Sequence, residues 1–165
     1  ALFFPEAWQT LTQDVPVDQQ EDILGYYSNL VFNPDTSISI PAAIHWNAFE
    51  TSIMSLRPKA ESGSINGQIE LARARIQLHY IAHRCFVDGD QLLQHAQEQL
   101  KQIPTTIVQG RYDMVCPPQT ARQLSQNKPH AHFFMVADAG HSAMEEGTCQ
   151  ALLAATERYK LLPAA

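Results

Sequence analysis

Thr106-Ile107-Val108-Gln109-Gly110-Arg111-Tyr112-Asp113, together with Ala139-Gly140-His141-Ser142 further along, decides how this chain is read. Thr105 to Val108 is a short β-branched run of the kind that forms a buried strand, and residues 131–136 form a second. Each run leads to a glycine, Gly110 allowing a tight turn and Gly140 a sharp exit from the strand, and then to a proton-handling residue, Asp113 in one case and His141 in the other. Ligand and catalytic groups collect where the strands of an open parallel sheet end, so both side chains are expected on one edge. Asp113 would accept a hydrogen bond from the imidazole and fix its tautomer, and His141 would act as general base. A turn aspartate and a surface histidine are the plainer alternatives. The matched placement after two strands favours the catalytic one.

Such a pair needs a nucleophile, which many enzymes with a Ser, Asp, His chain order carry on a G-x-S-x-G turn between a strand and a helix. None of the nine serines here has glycine both two residues before and two residues after it. The nearest miss, Gly63-Ser64-Ile65-Asn66-Gly67, has the wrong spacing and no apolar strand ahead of it. The expectation is the back half of a serine hydrolase, apart from the half that carries its nucleophile. A first residue that is Ala and not Met agrees with that expectation.

Around these stretches the chain changes character near residue 88. Before it, helices are expected from Pro5 through Leu11, over 18–30 with Ile23, Leu24, Tyr27 and Leu30 on one face, from the Pro34–Ser37 turn to about Leu56, and over 68–83. A polar loop, 59–67, separates the last two. After residue 88, an amphipathic helix over 90–102 precedes the first strand, a helix over 119–126 precedes the second, and 149–159 closes the chain. Strand, helix, strand, helix is the order of a parallel α/β sheet. Two parallel strands leave open edges, so further strands from elsewhere, or a second copy of the chain, are expected beside them.

Composition narrows the classes. The chain has 165 residues, 45% hydrophobic and 17% charged, which is ordinary for a folded protein, and its net charge of −6 comes without basic clusters, which argues against nucleic acid. No apolar run approaches the roughly 20 residues of a membrane span. Cys85, Cys116 and Cys149 form an odd, unpatterned set that fits free thiols in a cytoplasm. His79 and His83 stand four apart with Cys85 nearby, but without a convincing third ligand they are expected to be a helical face and not a metal site. His130 and His132 carry less signal still. Cys116 is expected to pack, since Asp113 beside it disfavours a thiolate.

Gly110-Arg111-Tyr112-Asp113-Met114-Val115-Cys116-Pro117 with Gly140-His141-Ser142-Ala143-Met144-Glu145 resembles the C-terminal part of proline iminopeptidases, serine peptidases of the α/β-hydrolase fold with a helical cap. Phe4-Pro5-Glu6-Ala7-Trp8, the stretch 43–50 against a family pattern W-x-x-W-E, and Ala74-Arg75-Ile76 with His79-Tyr80 extend the resemblance in the same order. It implies that Asp113 and His141 are the triad acid and base. It also implies that 1–87 is a helical cap, incomplete at its N-terminus, and that 88–165 is the C-terminal part of the core. The family's cap offers carboxylates to the substrate's free amine. Glu50 matches one of these positions; Gln77 stands where the family string A-R-I-E-N-H-Y has the second, so a neutral amide replaces an acid there. Phe49 replaces the pattern's second Trp and keeps an aromatic wall.

The resulting expectation is a serine aminopeptidase releasing N-terminal proline from peptides, with no metal or organic cofactor. Other α/β-hydrolase chemistries, an esterase or an epoxide hydrolase, and a non-catalytic peptide-binding relative are the alternatives.

Overall fold

Three short polar side chains set where helices begin. Asp22 Oδ1 accepts the Gly25 amide at 2.8 Å, Asn66 Oδ1 accepts the amides of Gln68 and Ile69 at 3.1 and 3.3 Å, and Asp88 Oδ1 accepts those of Asp90 and Gln91 at 3.1 Å. Each satisfies amides that the first helical turn leaves without a partner. The computed structural model describes residues 3–57, 64–126, 128 and 131–160. Its helices are α1 (Pro5–Thr12), α2 (Ile23–Val31), α3 (Thr36–Met54), α4 (Gly67–Ala82), α5 (Gly89–Gln99), α6 (Pro118–Gln126) and α7 (Glu146–Tyr159). Its strands are β1 (Thr105–Gly110) and β2 (Ala131–Val136).

The expected elements are present, with two informative shifts. The helix expected over 18–30 is broken, because Asp22 caps a fresh start at Ile23 after a short turn at Val17–Gln19. α7 begins at Glu146, earlier than expected, since Glu145 is extended and its carbonyl already accepts the Cys149 amide at 2.8 Å. Most of the polar loop over 59–67, and His130, lie outside the described residues.

The chain divides into two units, Ala1–Ser52 with Lys59–Val87, and Ile53–Pro58 with Asp88–Ala165. The first is helical. Tyr27 and Val31 on α2, Ala42, Ala43 and Trp46 on α3, and Leu71, Ala74 and Leu78 on α4 recur at three- and four-residue spacing and form one buried cluster. α2 packs against α4, and Arg75 of α4 donates to the carbonyls of Val31 and Asn33 at the end of α2, where a cation meets the negative end of the helix dipole.

Tyr27 is buried in that cluster and donates its hydroxyl to the Leu11 carbonyl at 2.7 Å. Burial first, then the charges of Tyr26 and Asp14, push its phenol from the ordinary 10.0 up to about 12. The fold favours the neutral phenol, so this stability is intact below the unfolded value and is lost as pH rises from there through the folded one. Stability against denaturant should therefore fall between pH about 10 and about 12, and Tyr27→Phe should flatten that fall while costing about 1 kcal/mol at neutral pH. An unchanged alkaline slope in the variant would assign the effect to another group.

In the second unit β1 and β2 pair in parallel, Thr105 opposite Ala131 through Gly110 opposite Val136. The two helices beside them take opposite faces. Arg122 of α6 lies over the Phe133 ring at 5.5 Å, and Tyr159 of α7 shares a hydrogen bond of 2.7 Å with Thr106, whose register partner is His132, one residue out of phase with Phe133. Lys128, 2% exposed, donates to the carbonyls of Leu100 and Ile103 and to the Thr105 hydroxyl, tying the end of α5 to the start of β1. Among the described residues each strand pairs with the other alone, leaving two outer edges.

Candidate active site

Asp113 follows β1 in a tight, hydrogen-bonded turn. Arg111 donates its amide to the Val136 carbonyl and Tyr112 donates to the Ala139 carbonyl, both at 2.9 Å, so the two strand ends are stitched together. The Asp113 carboxylate is 7% exposed and fully engaged. Its Oδ1 accepts the amides of Val115 and Cys116 at 3.0 and 2.7 Å; its Oδ2 accepts from Gln109 Nε2 at 3.1 Å. His141 Nδ1 stands 3.0 Å from Oδ2 and 3.2 Å from Oδ1.

A carboxylate can only accept, so this geometry puts a proton on Nδ1 and leaves Nε2 as the nitrogen free to take up or release one. The His141 side chain is 31% exposed, so a substrate group can reach it. Its loop is held from below. The amides of His141 and Ser142 both donate to the Met54 carbonyl, at 2.8 and 2.9 Å, while Glu145 accepts the amides of Gly140 at 2.7 Å and Leu56 at 3.1 Å. A general base needs a fixed ring with one free nitrogen, and these contacts supply both.

Gly110 and Gly140 are required by space and not by backbone angle, since no glycine has a positive φ among the described residues. A Cβ on Gly110 would lie 1.9 Å from the Gly140 carbonyl oxygen, and one on Gly140 would lie 2.8 Å from the Leu56 nitrogen. The sequence had pointed to these glycines as turn formers. They act by letting three backbone segments touch.

Glu50 and Gln77 lie in the helical unit, on α3 and α4, and both are partly buried. Gln77 Nε2 donates to Glu50 Oε2, and Gln77 Oε1 accepts from the Trp46 indole at 2.7 Å. Trp8 and Phe49 meet edge to face at 5.9 Å in the same unit. The two residues that the resemblance nominates are thus joined directly to each other and to Trp46.

Three contributors escaped the sequence. Gln109 is buried and donates to Asp113, Glu145 holds the histidine loop, and Trp46 fixes Gln77. Gln109 had a readable signal, a polar residue inside a β-branched strand four positions before Asp113. Cys116 is exposed and does not pack; partial desolvation and then the Asp113 charge push its thiol up, and its backbone serves the turn instead. His83 Nδ1 lies 2.8 Å from the His79 carbonyl, and among the described residues no three His, Cys, Asp or Glu side chains gather for a metal.

The profile of the α/β-hydrolase fold family matches residues 2–148. The chain belongs to the α/β-hydrolase family. Within it, this α/β hydrolase is similar to the probable proline iminopeptidase of Leptolyngbya boryana, 38% identical over 159 residues that cover 94% of this chain and 49% of that protein. It is 34% identical to the proline iminopeptidase of Arabidopsis thaliana over 98% of this chain and 43% of that one. The proline iminopeptidase of Neisseria gonorrhoeae is 31% identical over 93% and 49%. The chain spans about half the length of the curated relatives it matches. Among the described residues, no helix is long and apolar enough to cross a membrane.

Proposed function

We propose that this chain provides the acid and base of a serine aminopeptidase that releases N-terminal proline from peptides. Residues 88–165 belong to the catalytic core and 1–87 to a helical cap over the substrate. A serine outside these residues attacks the carbonyl of the first peptide bond, Nε2 of His141 takes its proton, and the imidazolium returns that proton to the leaving amine; water deprotonated by the same Nε2 then cleaves the acyl-enzyme, releasing proline and restoring the serine. Asp113 holds the tautomer that leaves Nε2 free and stabilises the imidazolium. Glu50 pairs with the substrate's free amine, since a desolvated ammonium needs an opposite charge. The observation that carries this proposal is the Nδ1 to Oδ2 contact of 3.0 Å on a carboxylate already fixed by two amides.

Free thiols at Cys85, Cys116 and Cys149 support a reducing compartment such as the cytoplasm. The open outer edges of β1 and β2 support self-association or completion by further strands.

Incubated by itself with proline p-nitroanilide, the 165-residue chain is expected to release no nitroaniline above the uncatalysed rate. Joined behind the part of the Leptolyngbya boryana protein that it does not match, it should turn over that substrate and be silenced by a serine-directed inhibitor. Inhibitor-sensitive turnover by the chain alone would place the nucleophile within these residues and overturn the division of labour.

A further inference from the structure

Trp46 and Glu50 stand one turn apart on α3, and Gln77 of α4 reaches both. Trp46 is 8% exposed, with its ring 5.7 Å from that of Tyr27. An indole N–H only donates, so the Gln77 atom 2.7 Å away must be the amide oxygen. A carboxylate only accepts, so the atom facing Glu50 must be the amide nitrogen. Turning the amide over would set N–H against N–H and oxygen against oxygen, leaving a buried donor unpaired. The side chain therefore has one usable orientation.

We infer that Gln77 is a positioning residue that aims the Glu50 carboxylate, and that Glu50 alone accepts the substrate's ammonium. This rests on the aminopeptidase proposal and changes the part Gln77 plays in it. The Gln77 oxygen already serves the Trp46 indole, and what acceptor capacity it keeps is that of a neutral amide. Glu50 carries the charge, and charge-assisted hydrogen bonds are about twice as strong as neutral ones. Among the described residues, Glu50 Oε1 has no hydrogen bond and is the oxygen left for a ligand. The amide in place of an acid thus yields a site with one charged acceptor held at a set angle.

The test uses the whole chain, labelled with nitrogen-15 and carbon-13, and L-prolinamide as probe, with L-alaninamide as a second amine. In the free protein the Trp46 indole proton should exchange slowly, and Gln77→Met should speed that exchange at least about tenfold. Saturating prolinamide should move the Glu50 carboxyl carbon resonance while the indole proton stays protected. Glu50→Gln should abolish binding, and Gln77→Met should weaken it about threefold to tenfold while lowering the melting temperature by several degrees, the cost of one buried indole left unpaired. Indole exchange that quickens when prolinamide binds would mean that Gln77 releases Trp46 to take the amine itself, and would overturn the inference. Exchange unaffected by Gln77→Met would do the same. Binding of alaninamide as tight as prolinamide, with the indole protected, would uphold the positioning role and remove the preference for proline. Neither amine binding to a chain with a protected indole would end both the amine site and this inference.

Discussion

Asp113→Asn is expected to lower kcat toward proline p-nitroanilide by about 10⁴-fold in a chimera in which this chain is joined to the unmatched part of the Leptolyngbya boryana relative. The direction follows from the contacts. Oδ1 receives the amides of Val115 and Cys116, so an asparagine keeps its oxygen there and turns its NH₂ toward Nδ1 of His141. Two donors cannot face each other, so the ring shifts its proton to Nε2. A ring protonated at Nε2 cannot take the serine proton. The turn itself keeps its two backbone bonds, and stability should change by only about 1–2 kcal/mol. Parallel rate and denaturant measurements check this: a large loss of kcat with a nearly unchanged unfolding curve is the expected result. A variant within about tenfold of the parent rate would remove Asp113 from the chemistry.

Gly110→Ala is expected to cost more than about 3 kcal/mol, an unusually large effect for one added methyl. The new carbon would sit 1.9 Å from the Gly140 oxygen and 2.8 Å from that of Ala139, both backbone atoms that cannot rotate away. Nor can the loop slide off. Glu145 grips the Gly140 amide, and the Met54 carbonyl accepts from His141 and Ser142. Relief requires parting β1 from the histidine loop, which also separates Asp113 from His141. Gly89→Ala is the control, because a Cβ there meets nothing within 4 Å and the position opens α5. It should be neutral or stabilising by up to about 1 kcal/mol. Equal losses in the two variants, read from denaturant midpoints, would mean that backbone entropy and not the close approach governs Gly110.

Much of this was legible because the relevant signals are local. A β-branched run marked β1 and a short apolar, aromatic run marked β2, each with a glycine after it, and the acid and base follow those glycines, so sequence position alone put them on one sheet edge. α7 started earlier than its pattern implied because its first turn, Glu146 and Gly147, looks like loop until Glu145 is seen to be extended. The glycines were found for the wrong reason. Their close approach involves residues 54, 56, 110 and 140, and no local pattern encodes contacts between segments that far apart. Glu145 was missed for the same reason, since it matters through Leu56 in a distant segment, whereas Gln109 serves Asp113 only four positions on and was readable from its place in the strand. Gln77 was nominated by resemblance as an acceptor, and only the indole opposite it reveals which end of the amide is already taken.

In the proposed mechanism Asp113 holds His141 with Nδ1 protonated and, in the neutral ring, Nε2 bare, and nitrogen-15 NMR of the His141 ring reads this directly. The Nδ1–H form is expected at mildly alkaline pH, with a low-field proton resonance that disappears in Asp113→Asn. A ring carrying its proton on Nε2, or a resonance indifferent to that substitution, would contradict it.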